Sequence, residues 1–399
     1  MQLSNKELTT ARYTVILILI SILFSPPITT ILEIFLYTLI LFSKEIQNKI
    51  KESINQPLVV SSILFYTVII VSSLNPLVTW SEGLNAAWAW RKILLLPIAL
   101  SLFDENQWKN KACIVFIVVT SICAILSFIS SMTEFAIHKY PVGIIIRNHA
   151  TQGIIFSIAA YTSAIYLLFN ITKNPKTKQT PLFIATILLI ANVIYITPGR
   201  SGYLALVVSS ISFIIVYLYK NKKFQAPLLL TALIPALLLT SPNVQQRVNQ
   251  GFEEITKYNT NNQATSMGIR VILWKNTIDL IKEHPFIGYG TGGFQKAYQA
   301  KIENEPEWKH DITHDPHNQF LKITTEQGIA GIISFISLLF SACFQKPKDI
   351  FFTLGITVLA TWCLNSLFSS HFSTFSEGRF IFLWLGIMMS NQNTQPIKK

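Results

Sequence analysis

Apolar stretches recur from one end of the chain to the other, at 13–25, 28–42, 57–74, 88–103, 112–131, 150–169, 181–197, 201–219, 226–240, 328–344, 350–368 and 379–390. No other feature constrains the fold as much. Several approach the ~20 residues a helix needs to cross a bilayer, while the first two and the last are short for it. Only 13% of residues are charged and mean hydropathy is +0.44, which excludes an ordinary soluble domain. The expected fold is therefore an all-α polytopic membrane protein with about twelve transmembrane helices. Residues 1–240 would carry helices one to nine and 328–399 helices ten to twelve, with one large, mainly helical extramembrane loop at 241–327 between them. Glu33 falls inside the second stretch, where lipid exposure would be costly, so it should face other helices.

Charge assigns the sides. With the N-terminus inside, 17 lysines and arginines fall on inner segments, six in short outer loops and nine in the long outer segment. The bias holds in every inner loop. The net charge of +12 is thus topology and gives no sign of a nucleic-acid partner. Ser25-Pro26-Pro27 follows the first apolar run, so an uncleaved first span is expected rather than a signal peptide. Cys113, Cys123, Cys343 and Cys363 all lie within apolar spans, as small core residues rather than a metal or disulfide framework.

Arginine departs from this pattern. Of seven arginines, only Arg12 is on the inner side, while Arg91, Arg147, Arg200, Arg247, Arg270 and Arg379 are outside. Lysine suffices to retain a loop, whereas the planar guanidinium suits bidentate capture of phosphate or carboxylate. Even-numbered spans run inward, so their N-termini face out. Arg91 begins the fourth, Arg147 and His149 the sixth, Arg200 the eighth, His317 the tenth and Arg379 the twelfth. Each pairs a cation or histidine with the positive end of a helix dipole, which is an anion site. Interfacial snorkelling to lipid headgroups is the competing explanation for any one of them.

In the long loop, Val271, Trp274, Ile278 and Ile281 recur at helical spacing, so one face can lie on the membrane or the bundle. His284-Pro285 ends that helix, and Gly288-Tyr289-Gly290-Thr291-Gly292-Gly293 reads as a tight turn. It lacks the lysine-serine ending of a phosphate-binding loop. The segment from His310 to Leu321 is richest in chemistry. Asp315-Pro316 reads as an N-cap and first helical position, with His317 in the first turn. The helix dipole should disfavour the imidazolium and leave a neutral general base. Two alternatives remain on residue types alone: a solvated loop, or zinc held by His310, His314 and His317 with Asp311 and Asp315, against which the intervening proline argues. Glu303, Glu305 and Glu307 form an acidic run that reads as solvated.

These residues carry a resemblance to the O-antigen ligase family. Its motif, a histidine, then Asn, Ser or Gln, nine residues, and Gly-x-x-(Gly, Thr or Tyr), is met throughout by His317-Asn318, the nine residues Gln319 to Gln327, and Gly328-Ile329-Ala330-Gly331. Pro198-Gly199-Arg200-Ser201-Gly202 resembles the family's Arg-Ser-Gly segment. Gly268-Ile269-Arg270, Trp274, His284-Pro285 and Gly288-Tyr289-Gly290 are similar to its large periplasmic loop. The likeness covers about 145–335.

The resemblance implies a glycosyltransferase C-like membrane enzyme facing the periplasm from a Gram-negative inner membrane. It would transfer O-antigen from undecaprenyl pyrophosphate to a sugar hydroxyl of lipid A-core. The reaction would be an inverting displacement needing neither metal nor other cofactor. His317 would be the base, with Arg200 and Arg270 stabilising the departing pyrophosphate. Arg147, His149, His314, Asn318, Arg379 and Arg91 are the further candidates for binding pyrophosphate or acceptor. Membrane lipids are the remaining partners, and a site between helices and an outer loop can work as a monomer. The nearest alternative is an O-antigen polymerase with a lipid-linked glycan acceptor. A protein O-glycosyltransferase would carry a larger C-terminal part. A lipid-linked-glycan transporter would place its charges at the midplane of symmetric halves, whereas here they sit at span ends on one side and no repeat is present.

Overall fold

The computed structural model describes residues 2–136, 140–171, 179–221, 240–242, 244–246, 249–250, 253, 266–303, 313, 315–346 and 349–391. The ninth apolar stretch up to 239, Arg247, Glu305, Glu307, His310, Asp311 and His314 lie outside them. All regular structure among the described residues is helical. The helices are α1 (Gln2–Ser21), α2 (Pro26–Phe42), α3 (Lys44–Ser53), α4 (Pro57–Ser72), α5 (Trp80–Ala89), α6 (Leu95–Leu102), α7 (Asn106–Thr133), α8 (His149–Ile171), α9 (Thr180–Tyr195), α10 (Arg200–Asn221), α11 (Ser266–Glu283), α12 (Phe294–Ile302), α13 (Gln319–Cys343), α14 (Ile350–Asn365) and α15 (Phe375–Met389). A 3-10 turn, Trp90–Leu94, joins α5 to α6.

The expected twelve spans are not matched, among the described residues, by twelve helices of crossing length. Among the described residues α7, α8 and α13 are long and apolar enough alone, and α2 with α3 forms one pair bent by 94°. α4, α9, α10 and α14 are shorter apolar helices. The fourth stretch differs most. It is a 3-10 turn followed by the eight-residue α6, roughly 12 Å of helix against the ~30 Å of a hydrocarbon core. Every residue of α6 is buried, as is every residue of α15 from Ser376 to Met389. A helix apolar on all sides is a core helix as readily as a lipid-facing one, and these two pack together at the centre. Gly386 makes this possible, since a Cβ there would stand 2.5 Å from the Leu96 carbonyl oxygen.

The long outer helices show the opposite pattern. On α7, Cys113, Phe116, Thr120, Cys123, Ala124 and Ser127 are buried, while Ile114, Val118, Ile122, Ile125 and Ile129 are exposed. A soluble helix would turn polar residues outward, so this stripe is a lipid-facing surface. Two cysteines follow expectation as core residues. Cys363 is partly buried, and Cys343, at the end of α13, is exposed, because it lies on the outward face with Phe340 and Phe344 while Ser341 and Ala342 of the same turn are buried.

Charges assigned to the inner side gather at one end of α7. At its start, Arg12 donates to the Leu102 carbonyl (2.7 Å) and Asp104 (2.8 Å), and Lys49 reaches the same Asp104. Elsewhere, Glu33 is 1% exposed and accepts from Arg379 Nε and, at 3.2 Å, from its second amino group. Glu33 thus faces helices as expected.

α11 and α12 have a small core of their own, built from Leu273, Leu280, Phe294, Ala297, Tyr298 and Ile302. The glycine-rich turn between them docks on α13. Tyr289 and Gly290 N–H donate to the Thr325 and Glu326 carbonyls, each at 2.8 Å, and Ile329 N–H donates to the Pro285 carbonyl at 2.9 Å. These bonds replace helical ones, because α13 is broken at Gly328 (φ 63°, ψ −156°). A Cβ at Gly328 would meet the Phe286 carbonyl oxygen at 2.2 Å. The motif glycine therefore permits both the kink and the docking. Gly328→Ala should cost at least about 1–3 kcal/mol in backbone strain alone. A lower unfolding temperature in detergent would register it, and an unchanged one would remove the kink's steric basis.

Candidate active site

The turn bearing His317 is built differently from the sequence expectation. Asn318, not Asp315, is the N-cap of α13, its side chain accepting from Phe320 and Leu321 N–H at 3.0 and 3.1 Å. Asp315 instead accepts from the His317 backbone N–H (2.8 Å) and from Ser370 Oγ (2.6 Å). The Pro316 carbonyl accepts from Trp274 Nε1 at 3.0 Å. These three contacts pin the turn before the helix begins. His317 consequently sits just ahead of the cap with φ 53°, a left-handed conformation that costs a non-glycine residue roughly 1–2 kcal/mol. The imidazole is half-buried, and burial, with Arg270 and Lys322 adding to it and Asp315 opposing, holds its pKa below the usual 6.5. The expected direction is met, but the largest cause is desolvation.

Arg147 repeats the device. It has φ 45° and precedes Asn148, whose side chain accepts from Thr151 N–H at 2.9 Å at the start of α8. The buried Gln152 amide reaches back to accept from Ile145 and Ile146 N–H (2.7 and 3.0 Å) and donates to the Gly143 carbonyl (2.9 Å). It also donates to Thr197 Oγ1 at 3.2 Å, in the turn leading to Arg200. α8 and α10 cross at two glycines: a Cβ on Gly153 or on Gly202 would lie 2.8 Å from the other's Cα. Gly199 meanwhile packs on the His149 backbone. One buried network thus fixes both turns and seats the start of α10, with Arg200, against exposed His149.

The segment before α15 joins this pair to α13. Arg147 donates to Ser376 Oγ at 2.5 Å, and Thr151 donates to Glu377. Gln319 donates to Ser373 Oγ (2.9 Å) and accepts from Ser373 N–H (3.0 Å). Buried Lys92 holds the Ser373 and Thr374 carbonyls. The N-termini of α8, α10, α13 and α15 are therefore linked in one assembly, with α11 attached through Trp274. Arg270 lies one turn before Trp274 on the same side of α11, and its charge weighs on His317.

Two candidates are occupied within the protein. Arg379, 2% exposed, is bound by Glu33 and stacks on Phe375 at 3.7 Å. Arg91 donates to the Trp88 carbonyl at 3.1 Å, stacks on Trp88 at 4.7 Å and lies 3.9 Å from Glu33. A carboxylate of the chain thus holds Arg379 where an anionic ligand was expected. The glycine-rich turn is likewise structural, since the N–H groups of Gly288, Tyr289, Gly290, Thr291 and Gly293 all donate to protein carbonyls. Among the described residues no group of three or more His, Cys, Asp or Glu could hold a metal.

Sequence patterns did not single out Lys322, Lys92, Glu377 or His371. His371 is 6% exposed with both ring nitrogens lacking a protein partner. Burial lowers its pKa, against Glu377 and Asp315, which raise it. A histidine between Ser370 and Phe372 in a loop without arginine carries no pattern that would have marked it.

A general base must be neutral to act. With the His317 pKa below 6.5, activity should be complete above that pH and fall only as pH drops through the lowered value. An acid limb centred above 6.5 in purified protein would contradict His317 as the titrating base.

The family model for O-antigen ligase matches residues 185–336. An uncharacterised Haemophilus influenzae protein is 29% identical over 269 residues, 65% of each chain. The O-antigen ligase of Escherichia coli is 22% identical over 226 residues, covering 52% of this chain and 54% of that one. The O-antigen ligase of Salmonella typhimurium is 24% identical over 293 residues, or 70% and 67% respectively. The matched region thus spans just under two thirds of the Haemophilus relative and about half of the Escherichia one.

Proposed function

With the chain a member of the O-antigen ligase family, we propose that it transfers O-antigen from undecaprenyl pyrophosphate to a sugar hydroxyl of lipid A-core at the periplasmic face of the inner membrane. The observation that supports this best is the placement of His317. It is a half-buried imidazole at the start of α13, in range of the Arg270 charge and tied through the 366–376 segment to the turn bearing Arg147.

In the proposed step the acceptor oxygen forms a bond to the anomeric carbon as the bond to pyrophosphate breaks on the opposite face, inverting the centre. His317 takes the hydroxyl proton. Arg200 and Arg270 stabilise the negative charge that develops on the leaving pyrophosphate, with Arg147 and His149 beside them. Asn318 holds the helix start, and the resemblance adds His314 to the binding set. No metal or other cofactor takes part. Preorganised cations in a partly desolvated site are worth roughly 3–4 kcal/mol each, so Arg200→Ala or Arg270→Ala should slow transfer on the order of 10²–10³-fold.

The direct test uses purified protein in proteoliposomes with lipid-linked O-antigen and lipid A-core, in chelator and without nucleotide. Glycosylated lipid A-core is the expected product, with inverted configuration at the new linkage. Retained configuration would overturn the displacement step, and lengthened lipid-linked glycan in place of glycosylated core would favour the polymerase.

A further inference from the structure

We propose that the outer face of α5, together with Phe286 and Ile287 of the α11–α12 turn, is a membrane anchor lying in the headgroup zone of the outer leaflet. Trp80, Leu84 and Trp88 are 67%, 41% and 65% exposed at successive turns of α5, while Gly83 and Ala87 are buried on the adjoining face. Phe286 and Ile287 are 72% and 64% exposed. Scattered apolar residues need no explanation, but these lie on neighbouring segments. The Asn75 side chain donates to the Gly288 carbonyl at 3.1 Å, and Thr291 N–H donates to the Ser72 carbonyl at 3.2 Å. The 286–293 turn therefore rests on the chain leading from α4 into α5.

Continuity with the lipid-facing stripes identifies the occupant. The bond from Ile329 N–H to Pro285 places Phe286 and Ile287 at the head of the exposed α13 stripe Ile329, Ile333, Ile336 and Phe340. On α4, exposed Ile63, Leu64 and Val71 lead to exposed Leu74 and Leu77 just before α5. The two stripes end at the same patch. A short helix with indole rings at its edge, capped by a polar Thr79–Glu82 box, suits the boundary where one end of a residue is apolar and the other wet.

The anchor has a consequence for the site. The same turn supplies the bonds that hold the α13 kink, so its depth in the leaflet sets the height of the His317 turn above the membrane.

The test is fluorescence of the full chain in phosphatidylcholine vesicles whose acyl chains are brominated near the headgroup. Eight tryptophans contribute. Trp80→Phe with Trp88→Phe should remove part of the bromine-quenched signal. Adding Phe286→Trp to that background should restore it, with an emission shielded from aqueous iodide. All three changes keep an aromatic ring at exposed positions, and an unchanged melting temperature in detergent confirms folding. Quenching of the Trp introduced at 286 by iodide and not by bromine would overturn the proposal, because the patch would face water. Shielding from both would also overturn it, by showing a protein cover such as a second copy. Neither readout depends on glycan transfer, so the anchor and the proposed enzymatic reading can fail separately.

Discussion

Replacing His317 with alanine is expected to lower glycan transfer by about 10²–10⁴-fold, the usual contribution of a positioned general base, while leaving the protein folded. The fold is insensitive because the local structure uses His317 through its backbone. Its N–H bond to Asp315 and the Asn318 cap beside it survive truncation of the side chain. The φ of 53° would be borne by alanine at much the same cost. His317→Asn is the sharper variant, since asparagine tolerates that conformation and can hydrogen-bond but cannot take up a proton near neutral pH. Both variants should melt within a few degrees of the native chain and share its loss of transfer. Near-normal rates from His317→Asn would show that the imidazole serves only to fill space.

The largest expected effect on stability comes from Glu33. Its carboxylate and the Arg379 guanidinium are each 2% exposed, and the two residues are 346 positions apart in sequence. Removing one member of a buried pair leaves an uncompensated charge and costs about 3–5 kcal/mol. Glu33→Leu should therefore lower the melting temperature sharply, with Arg91 also losing its neighbour at 3.9 Å. Combining it with Arg379→Met should recover most of the loss, because a well-packed apolar pair is often as stable as a buried ion pair. The double variant also separates two roles for Arg379. Recovered stability with normal transfer would make Arg379 structural, whereas recovered stability without transfer would return it to the substrate site.

Hydropathy found the helical membrane character, and the charges assigned to the inner side, Arg12 and Lys49, meet at Asp104 beside the start of α7. Hydropathy could not distinguish a helix facing lipid from one enclosed by others. α6 and α15 therefore read like the lipid-facing stretches, whereas other helices enclose them. The His-Asn-x9-Gly-x-x-Gly motif marked the turn before α13, but its helix start was misplaced by three residues. Asp315 and Asn318 are both good caps, and only the distant contacts of Trp274 and Ser370 select between them. Gly328 was legible as a motif position but not as a kink, because the partner of its missing Cβ lies in the turn at Phe286. Glu33 and Arg379 each stood out alone, yet nothing local pairs them. Lys92, Lys322 and His371 gain meaning only from what they face.

The most direct test of the central claim is the lipopolysaccharide banding pattern of cells lacking their own O-antigen ligase, supplied with this chain or with its His317→Ala form. The account predicts a restored O-antigen ladder from the native chain and none from the variant at equal membrane abundance. A ladder of equal intensity from His317→Ala, or none from a well-expressed native chain given a matched core acceptor and donor, would contradict it.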